Sequence, residues 1–152
     1  MFPFNVRVYG ILIDDQNRVL ISDERTQNVS FTKFPGGGLE YGEGIIDALK
    51  REFIEECNLK IEIVKHIYTT DFFEKSSFNS SQIISIYYQV KALEDLNIDI
   101  KNKPFDFIST SKNEIIEKEE VFRLEHINTV KSTDFTFKTD QIAWDEFEKL
   151  KR

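Results

Sequence analysis

Apolar, mostly β-branched and aromatic residues fill positions 4–13 and resume at 18–22 after the polar break Asp14, Asp15, Gln16 and Asn17. Two such runs around a polar turn predict a β-hairpin. Residues 23–33 are polar apart from Phe31 and Val29 and are expected to form a loop. At 44–58 the period changes: Ile46, Leu49, Phe53 and Cys57 fall on one stripe at 100° per residue, and the run lacks proline, which predicts an amphipathic helix. A second hairpin is expected from the alternating run at 60–73, the Ser/Asn-rich loop at 74–81 and the strand at 82–93. In the first of these strands Ile61, Ile63 and Ile67 face one way, with Val64 and Tyr68 opposite. The pattern is broken between 94 and 120, where a short strand is expected at 105–108, and another apolar strand at 121–124 follows the charged run 114–120. Ile142, Ala143, Phe147 and Leu150 mark a closing helix over 139–150, with Thr139 or Asp140 as its N-cap.

The helix at 44–58 has a second face. Glu52, Glu55 and Glu56 are neighbours there, because residues three and four apart meet on a helix surface. By itself a Glu-x-x-Glu-Glu run is ordinarily a solvated acidic face. This one follows a proline and three glycines, Pro35 to Gly38, and shares its segment with Glu43 and Arg51. Glycines there permit a tight turn and a close backbone approach to a ligand. Carboxylates repelling one another beside such a turn suit a hard divalent cation that takes oxygen ligands and substrate phosphates.

The chain has 152 residues and is expected to form one domain across 1–152, with a core rich in its 14 phenylalanines and five tyrosines. A net charge of −7 argues against non-specific binding to nucleic acid or to an anionic membrane. The single cysteine excludes an intramolecular disulfide, and the N-terminus lacks a basic-then-apolar signal pattern, so a cytoplasmic location is expected. Cys57 lies on the apolar stripe and reads as a buried small hydrophobe. His66 and His126 have no metal-ligand spacing.

The segment 37–59 resembles the Nudix box, G-x5-E-x7-R-E-U-x-E-E-x-G-U with U a bulky apolar residue. Gly37, Glu43, Arg51, Glu52, Glu55 and Glu56 occupy its glycine and charged positions, and Phe53 and Leu59 its apolar ones. Asn58 stands where the family has glycine; asparagine is the side chain that best tolerates the left-handed conformation needed at a helix end.

The resemblance implies an α/β Nudix fold, with a central mixed β-sheet sandwiched between the box helix and a C-terminal helix. It implies hydrolysis of a nucleoside diphosphate linked to another moiety, X, with Mg²⁺ or Mn²⁺ as cofactor. Glu52, Glu55 and Glu56 would be metal ligands together with the carbonyl of Gly36, and either Glu52 or Glu55 would double as general base. Arg51 is grouped with the catalytic residues but is expected to pair with Glu43 and hold the turn against the helix. Gly37 and Glu43 are the structural members of the box. Arg25 is either a phosphate contact or a solvated loop charge. One of Glu114, Glu117, Glu119 and Glu120 is expected to join the site, and the residues do not say which. Phe72, Phe73 and Phe78 are either base-stacking or packing residues. The expected partner is a small phosphorylated molecule, with no nucleic acid and no membrane; the family also allows a homodimer. Two other classes fit the fold: a catalytically idle nucleotide-binding module, and an isomerase of isopentenyl diphosphate. The latter needs a cysteine outside the box, and this chain has none.

Overall fold

The computed structural model describes residues 3–27, 29–107 and 118–151. Strand β1 (Phe4–Leu12) buries side chains on both faces: Val8 and Leu12 enter one core, Tyr9 and Ile11 the other. Strand β2 (Arg18–Thr26) repeats the division, with Leu20 in the first core and Val19 and Ile21 in the second. Successive residues of a strand point to opposite faces. With a core on each face, both kinds of position must be apolar, which is why these strands read as unbroken hydrophobic runs.

The remaining strands are β3 (Val29–Lys33), β4 (Gly36–Gly38), β5 (Ile61–Thr69), β6 (Gln82–Ala92), β7 (Ile100–Lys101) and β8 (Lys118–His126). Among the described residues they form two four-stranded sheets, ordered β4-β1-β6-β5 and β3-β2-β8-β7. Both are mixed, since β1 runs parallel to β6 and β7 parallel to β8 while the other pairs are antiparallel. Helix α1 (Ile45–Cys57) closes the first core with Ala48, Leu49, Phe53 and Cys57. Helix α2 (Lys138–Leu150) closes the second with Ala143, Trp144 and Phe147, packed in one cluster with Phe34, Phe135 and Tyr87. The expected α/β sandwich of mixed sheet between two helices is present, its strands divided between two sheets. A Cβ on Gly10 would lie 2.6 Å from the Phe53 ring, so β1 gives up a side chain to admit that ring. Burying such a ring stabilises by about 1.5–3 kcal/mol.

Several local expectations change. The turn after β1 is real: the Asp14 carboxylate accepts from the backbone N–H groups of Gln16 and Arg18 at 3.0 and 2.8 Å, and Asn17 has φ 58°. Its strands, however, are not a hairpin. Only an isolated bridge, Ile13 to Val19, joins them, because β1 pairs along its length with β6 and β2 with β8. The segment expected as a loop at 23–33 is instead largely strand: β2 continues to Thr26 and returns as β3, paired from Ser22–Lys33 to Thr26–Val29. Its polarity hid it, since the inward side chains are charged groups that neutralise one another.

On α1, Ile46 is 41% exposed and Ala48 takes the expected place in the stripe. The short strand lies at β7 rather than at 105–108; Phe105 sits in a turn at φ 55°, its N–H donating to Asp23 Oδ2 at 3.2 Å, and position 108 lies outside the described residues. Strand β8 is longer than the expected 121–124. The β5–β6 hairpin is as expected, but register shifts between Ile63 and Lys65 and between His66 and Tyr68 bring both Ile67 and Tyr68 inside. Phe137, not Thr139 or Asp140, occupies the N-cap of α2; the buried Tyr87 hydroxyl donates to Asp140 at 2.6 Å and is hydrogen-bonded to the Thr139 hydroxyl at 2.9 Å.

Asn58 ends α1 at φ 49°, ψ 43°, its N–H donating to the Ile54 carbonyl at 3.0 Å. This is the left-handed stop that the box glycine would supply. Asn58→Gly should therefore shift stability by no more than about 1 kcal/mol, relief of strain being offset by the freer unfolded chain. Asn58→Val should cost roughly 1–3 kcal/mol. Urea denaturation of the three proteins measures both; equal stability of the glycine and valine variants would rule out the left-handed stop.

Candidate active site

The site is assembled from the glycine strand inward. β4 pairs antiparallel with β1, and at Gly36, where φ is 150°, an added Cβ would lie 2.1 Å from the Val8 carbonyl oxygen. At Gly37 it would lie 2.5 Å from the carboxyl carbon of Glu52. The absence of side chains thus lets β4 lie on β1 and lets the helix carboxylate lie on β4.

Arg51 fixes that contact. Its Nε and Nη2 donate to the two oxygens of Glu43 at 3.0 and 2.7 Å, and Nη2 also donates to the Gly38 carbonyl at 3.0 Å. Nη1 donates to Glu52 Oε1 at 2.9 Å and Glu55 Oε2 at 3.2 Å. The planar guanidinium has five donors in a rigid fork, and here it spans helix, loop and strand. Hydrogen bonding to Arg51, with that from the Glu40 backbone, holds the Glu43 carboxyl down at about 2. The same bonds push the Arg51 guanidinium above its already high range.

A second group of carboxylates joins α1 to the neighbouring strands. Glu24 on β2, Glu56 on α1 and Glu120 on β8 each bring an oxygen within 4.8 Å of the others. Lys33 on β3 projects among them: its Nζ lies 3.2 Å from Glu24 Oε1 and 3.5 Å from Glu120 Oε2, and donates to the Phe34 carbonyl at 3.3 Å. Lys118 approaches from the exposed side, 3.4 Å from Glu24 and 3.8 Å from Glu56. Ser22 donates to Glu120 Oε2 at 2.6 Å. One oxygen of Glu56, Oε2, is buried without a hydrogen-bond partner.

Such crowding shifts proton affinities. Burial chiefly raises the Glu56 carboxyl, to about 7, with Glu120 and Glu52 adding to it and Lys33 and Lys118 opposing. Burial raises Glu120 as well, against the pull of Lys33. Burial works to raise Glu24 too, yet Lys33, a hydrogen bond with Glu120 and Lys118 together leave it below the ordinary carboxylate value. For Lys33, burial works to lower the pKa, but Glu24, Glu120 and Glu56 hold it above its usual range, so the ammonium stays charged.

Next to this cluster opens a cavity of about 410 Å³, lined on the cluster side by Glu24, Lys33 and Lys118 and elsewhere by Arg7, Glu74 and Asp140. Asp140 is 2% exposed; burial raises its carboxyl to about 7, with Glu74 adding and the Tyr87 hydrogen bond, Lys33 and Arg7 opposing. Phe78 also lines the cavity and tilts on Phe31 at 5.7 Å, whereas Phe73 is 72% exposed and Phe72 lies under the Lys138 ammonium.

Among the residues singled out in the sequence, the structure joins Glu56 and Glu120 in one cluster and places Glu52 and Glu55 around Arg51. The Arg51–Glu43 pairing is as expected. Glu119, one residue from Glu120, faces the other way and pairs with Arg25, whose guanidinium also lies 4.6 Å from the Phe107 ring centroid. Glu114 and Glu117 lie outside the described residues. Glu24 and Lys33 escaped the sequence reading because their segment looked like a loop. The period-two spacing of Ser22 and Glu24 was the available signal, since it puts both on the face that meets Glu120. Cys57 is fully buried and its thiol is pushed up to about 12, chiefly by burial, which fits packing and not reactivity.

The family model described as NUDIX domain matches residues 3–144. No curated protein matches the chain by sequence. Solved structures of similar fold include a MutT NUDIX hydrolase from Burkholderia pseudomallei, with TM-score 0.68 and 14% identity over 94% of this chain and 97% of that one. A NUDIX hydrolase from Nitrosomonas europaea gives 0.65 and 18%, covering 99% and 91%. A UDP-X diphosphatase gives 0.59 and 15%, covering 99% and 64%.

Two measurements test this geometry. In a double-mutant cycle, Arg51→Gln and Glu43→Gln should each lower thermal stability, and the double variant should lose little more than Arg51→Gln alone; simple additivity would show that the two do not act as a pair. The raised carboxyl of Asp140 makes a pH prediction. Between about 4, its unfolded value, and 7 the folded protein holds a proton that the unfolded chain has released, so this residue's contribution to stability falls as pH rises through that window. Asp140→Asn keeps an acceptor for Tyr87 but cannot ionise. Urea midpoints for that variant should decline less between pH 5 and 8 than those of the parent. Parallel declines would show that Asp140 does not titrate there.

Proposed function

The chain belongs to the NUDIX domain family, and we propose that it hydrolyses the diphosphate linkage of a nucleoside diphosphate joined to another group X, using Mg²⁺ or Mn²⁺. The observation that carries this reading is the convergence of Glu24, Glu56 and Glu120 from three elements at the edge of a cavity, with one buried oxygen of Glu56 left without a partner. A hard divalent cation fits that donor set: it consists of carboxylate oxygens, and a fourth carboxylate, Glu52, lies against Gly37 where no side chain intervenes. Glu56, Glu52 and Glu55 of the box, the Gly36 carbonyl, and Glu24 and Glu120 of the strands are the residues that would hold it. When bound, such a cation stabilises negative charge on phosphate oxygens and acidifies water.

The chain's own groups divide the remaining work. Glu56 and Glu120, raised by burial, release their protons most readily when positive charge is placed among them. Arg51 holds Glu52 and Glu55 in fixed orientations, and one of these two is the general base. Their environments differ, the Glu52 side chain being 12% exposed and that of Glu55 56%. The cavity takes the nucleoside or X portion, with Phe78 and Phe31 offering ring faces and Arg7 a positive charge. Arg25 is retained as a phosphate contact only if substrate displaces it from Glu119.

The test is a phosphate-release screen with Mg²⁺ over nucleoside triphosphates, nucleotide sugars, ADP-ribose and dinucleoside polyphosphates. Glu56→Gln should lower kcat on the best substrate by about a hundredfold or more while leaving the fold intact, because an amide does not replace a charged ligand. Of Glu52→Gln and Glu55→Gln, the variant whose loss of turnover at saturating Mg²⁺ is the greater identifies the base. Absence of any Mg²⁺-dependent hydrolysis across the screen would overturn the assignment.

A further inference from the structure

Lys33 is 5% exposed and lies at the centre of the strand carboxylates. Two features separate it from an ordinary surface lysine. Its Nζ meets two carboxylates from different strands, Glu24 of β2 and Glu120 of β8, and donates to a backbone carbonyl. It also stands 5.7 Å from the centroid of the Tyr9 ring, which lines the same cavity, so the ammonium is held between ring and carboxylates. Three carboxylates held within 4.8 Å of one another repel strongly at the low dielectric of a buried site. An ammonium fixed between two of them offsets that repulsion.

We propose that Lys33 is a built-in counter-cation of the cluster: it holds Glu24 and Glu120 together and competes with a divalent cation for the same carboxylate oxygens. The proposal rests on the reading of this cluster as a cation site. It assigns to Lys33 a positioning role that the box does not contain. A divalent ion taking oxygens of Glu24 and Glu120 must separate them from the ammonium, and Lys33, which borders the cavity, is then left facing it. Affinity for the metal is thereby reduced, while the carboxylates stay in register without it. Lys118 touches two of the same carboxylates, but its side chain is 52% exposed, so water screens it and its competition is weak.

The experiment is Mg²⁺ binding to the full chain without substrate, by isothermal titration calorimetry, for the parent, Lys33→Met and Lys118→Met. Lys33→Met should bind Mg²⁺ about tenfold more tightly, and Lys118→Met should change affinity by about threefold or less. Thermal melts supply an independent readout. In EDTA Lys33→Met should melt below the parent, and saturating Mg²⁺ should narrow the gap, since the ion stabilises the variant more. If the parent binds Mg²⁺ and Lys33→Met binds no more tightly, competition by Lys33 is overturned while the metal reading stands. If neither binds, both readings fall. Binding by the variant alone would support the competition directly. Should Lys33→Met fail to fold, Lys33→Gln carries the same comparison, with a neutral polar side chain one bond shorter.

Discussion

The guanidinium of Arg51 is the contact on which the geometry of the box depends. Five of its hydrogen bonds reach four residues: two to Glu43 in the loop, one to the Gly38 carbonyl of the glycine strand, and one each to Glu52 and Glu55 on its own helix. Three stretches of backbone that are independent in the unfolded chain thereby share one rigid donor group. The arrangement works only because β4 has no side chains in the way: Glu52 lies where a Cβ on Gly37 would be. A lysine, with a single point of charge on a flexible stem, has no geometry for spanning these partners.

The carboxylate cluster of Glu24, Glu56 and Glu120 meets a different constraint. Glu24, Glu56 and Glu120 are brought together by tertiary packing, and their mutual repulsion has to be offset by cations or by retained protons. Both means are in use. Lys33 and Lys118 supply charge, and burial raises Glu56 and Glu120 so that protons are held more tightly there. The cluster is therefore responsive to added positive charge, whereas Glu43, held near 2 by Arg51, is not. The site thus has a fixed part around Arg51 and a responsive part that draws only Glu56 from the box, one turn of helix further on.

The stabilising frame around them is apolar. Neighbouring residues of β1 and β2 enter opposite cores, one closed by α1 and the other by α2, so displacement of either helix exposes one face of the same strands. The rings of Phe34, Phe135 and Trp144 lie just after and opposite β3, which anchors the strand that carries Lys33. The catalytic carboxylates proposed above sit at the rim of this frame.

Local chemistry determined much of this protein from the sequence alone. The spacing of Gly37, Glu43, Arg51 and the glutamates identified the box, helical periodicity located both helices, and the tolerance of asparagine for positive φ gave the stop at Asn58. Each of these depends on residues within a few turns of one another. The partners of β1 and β2 were decided only by the tertiary structure: a polar turn joins the two, yet each finds a longer partner far along the chain, in β6 and β8. The polar stretch containing Glu24 and Lys33 was illegible for the same reason. Charged residues enter a protein interior only when paired; these two pair with each other across β2 and β3, and further with Glu120 and Lys118 of β8, distant in sequence. Burial and pairing are properties of the assembled fold, so the period-two spacing of Ser22 and Glu24, a faint local trace, did not by itself reveal that a stretch that looks solvated lines the site.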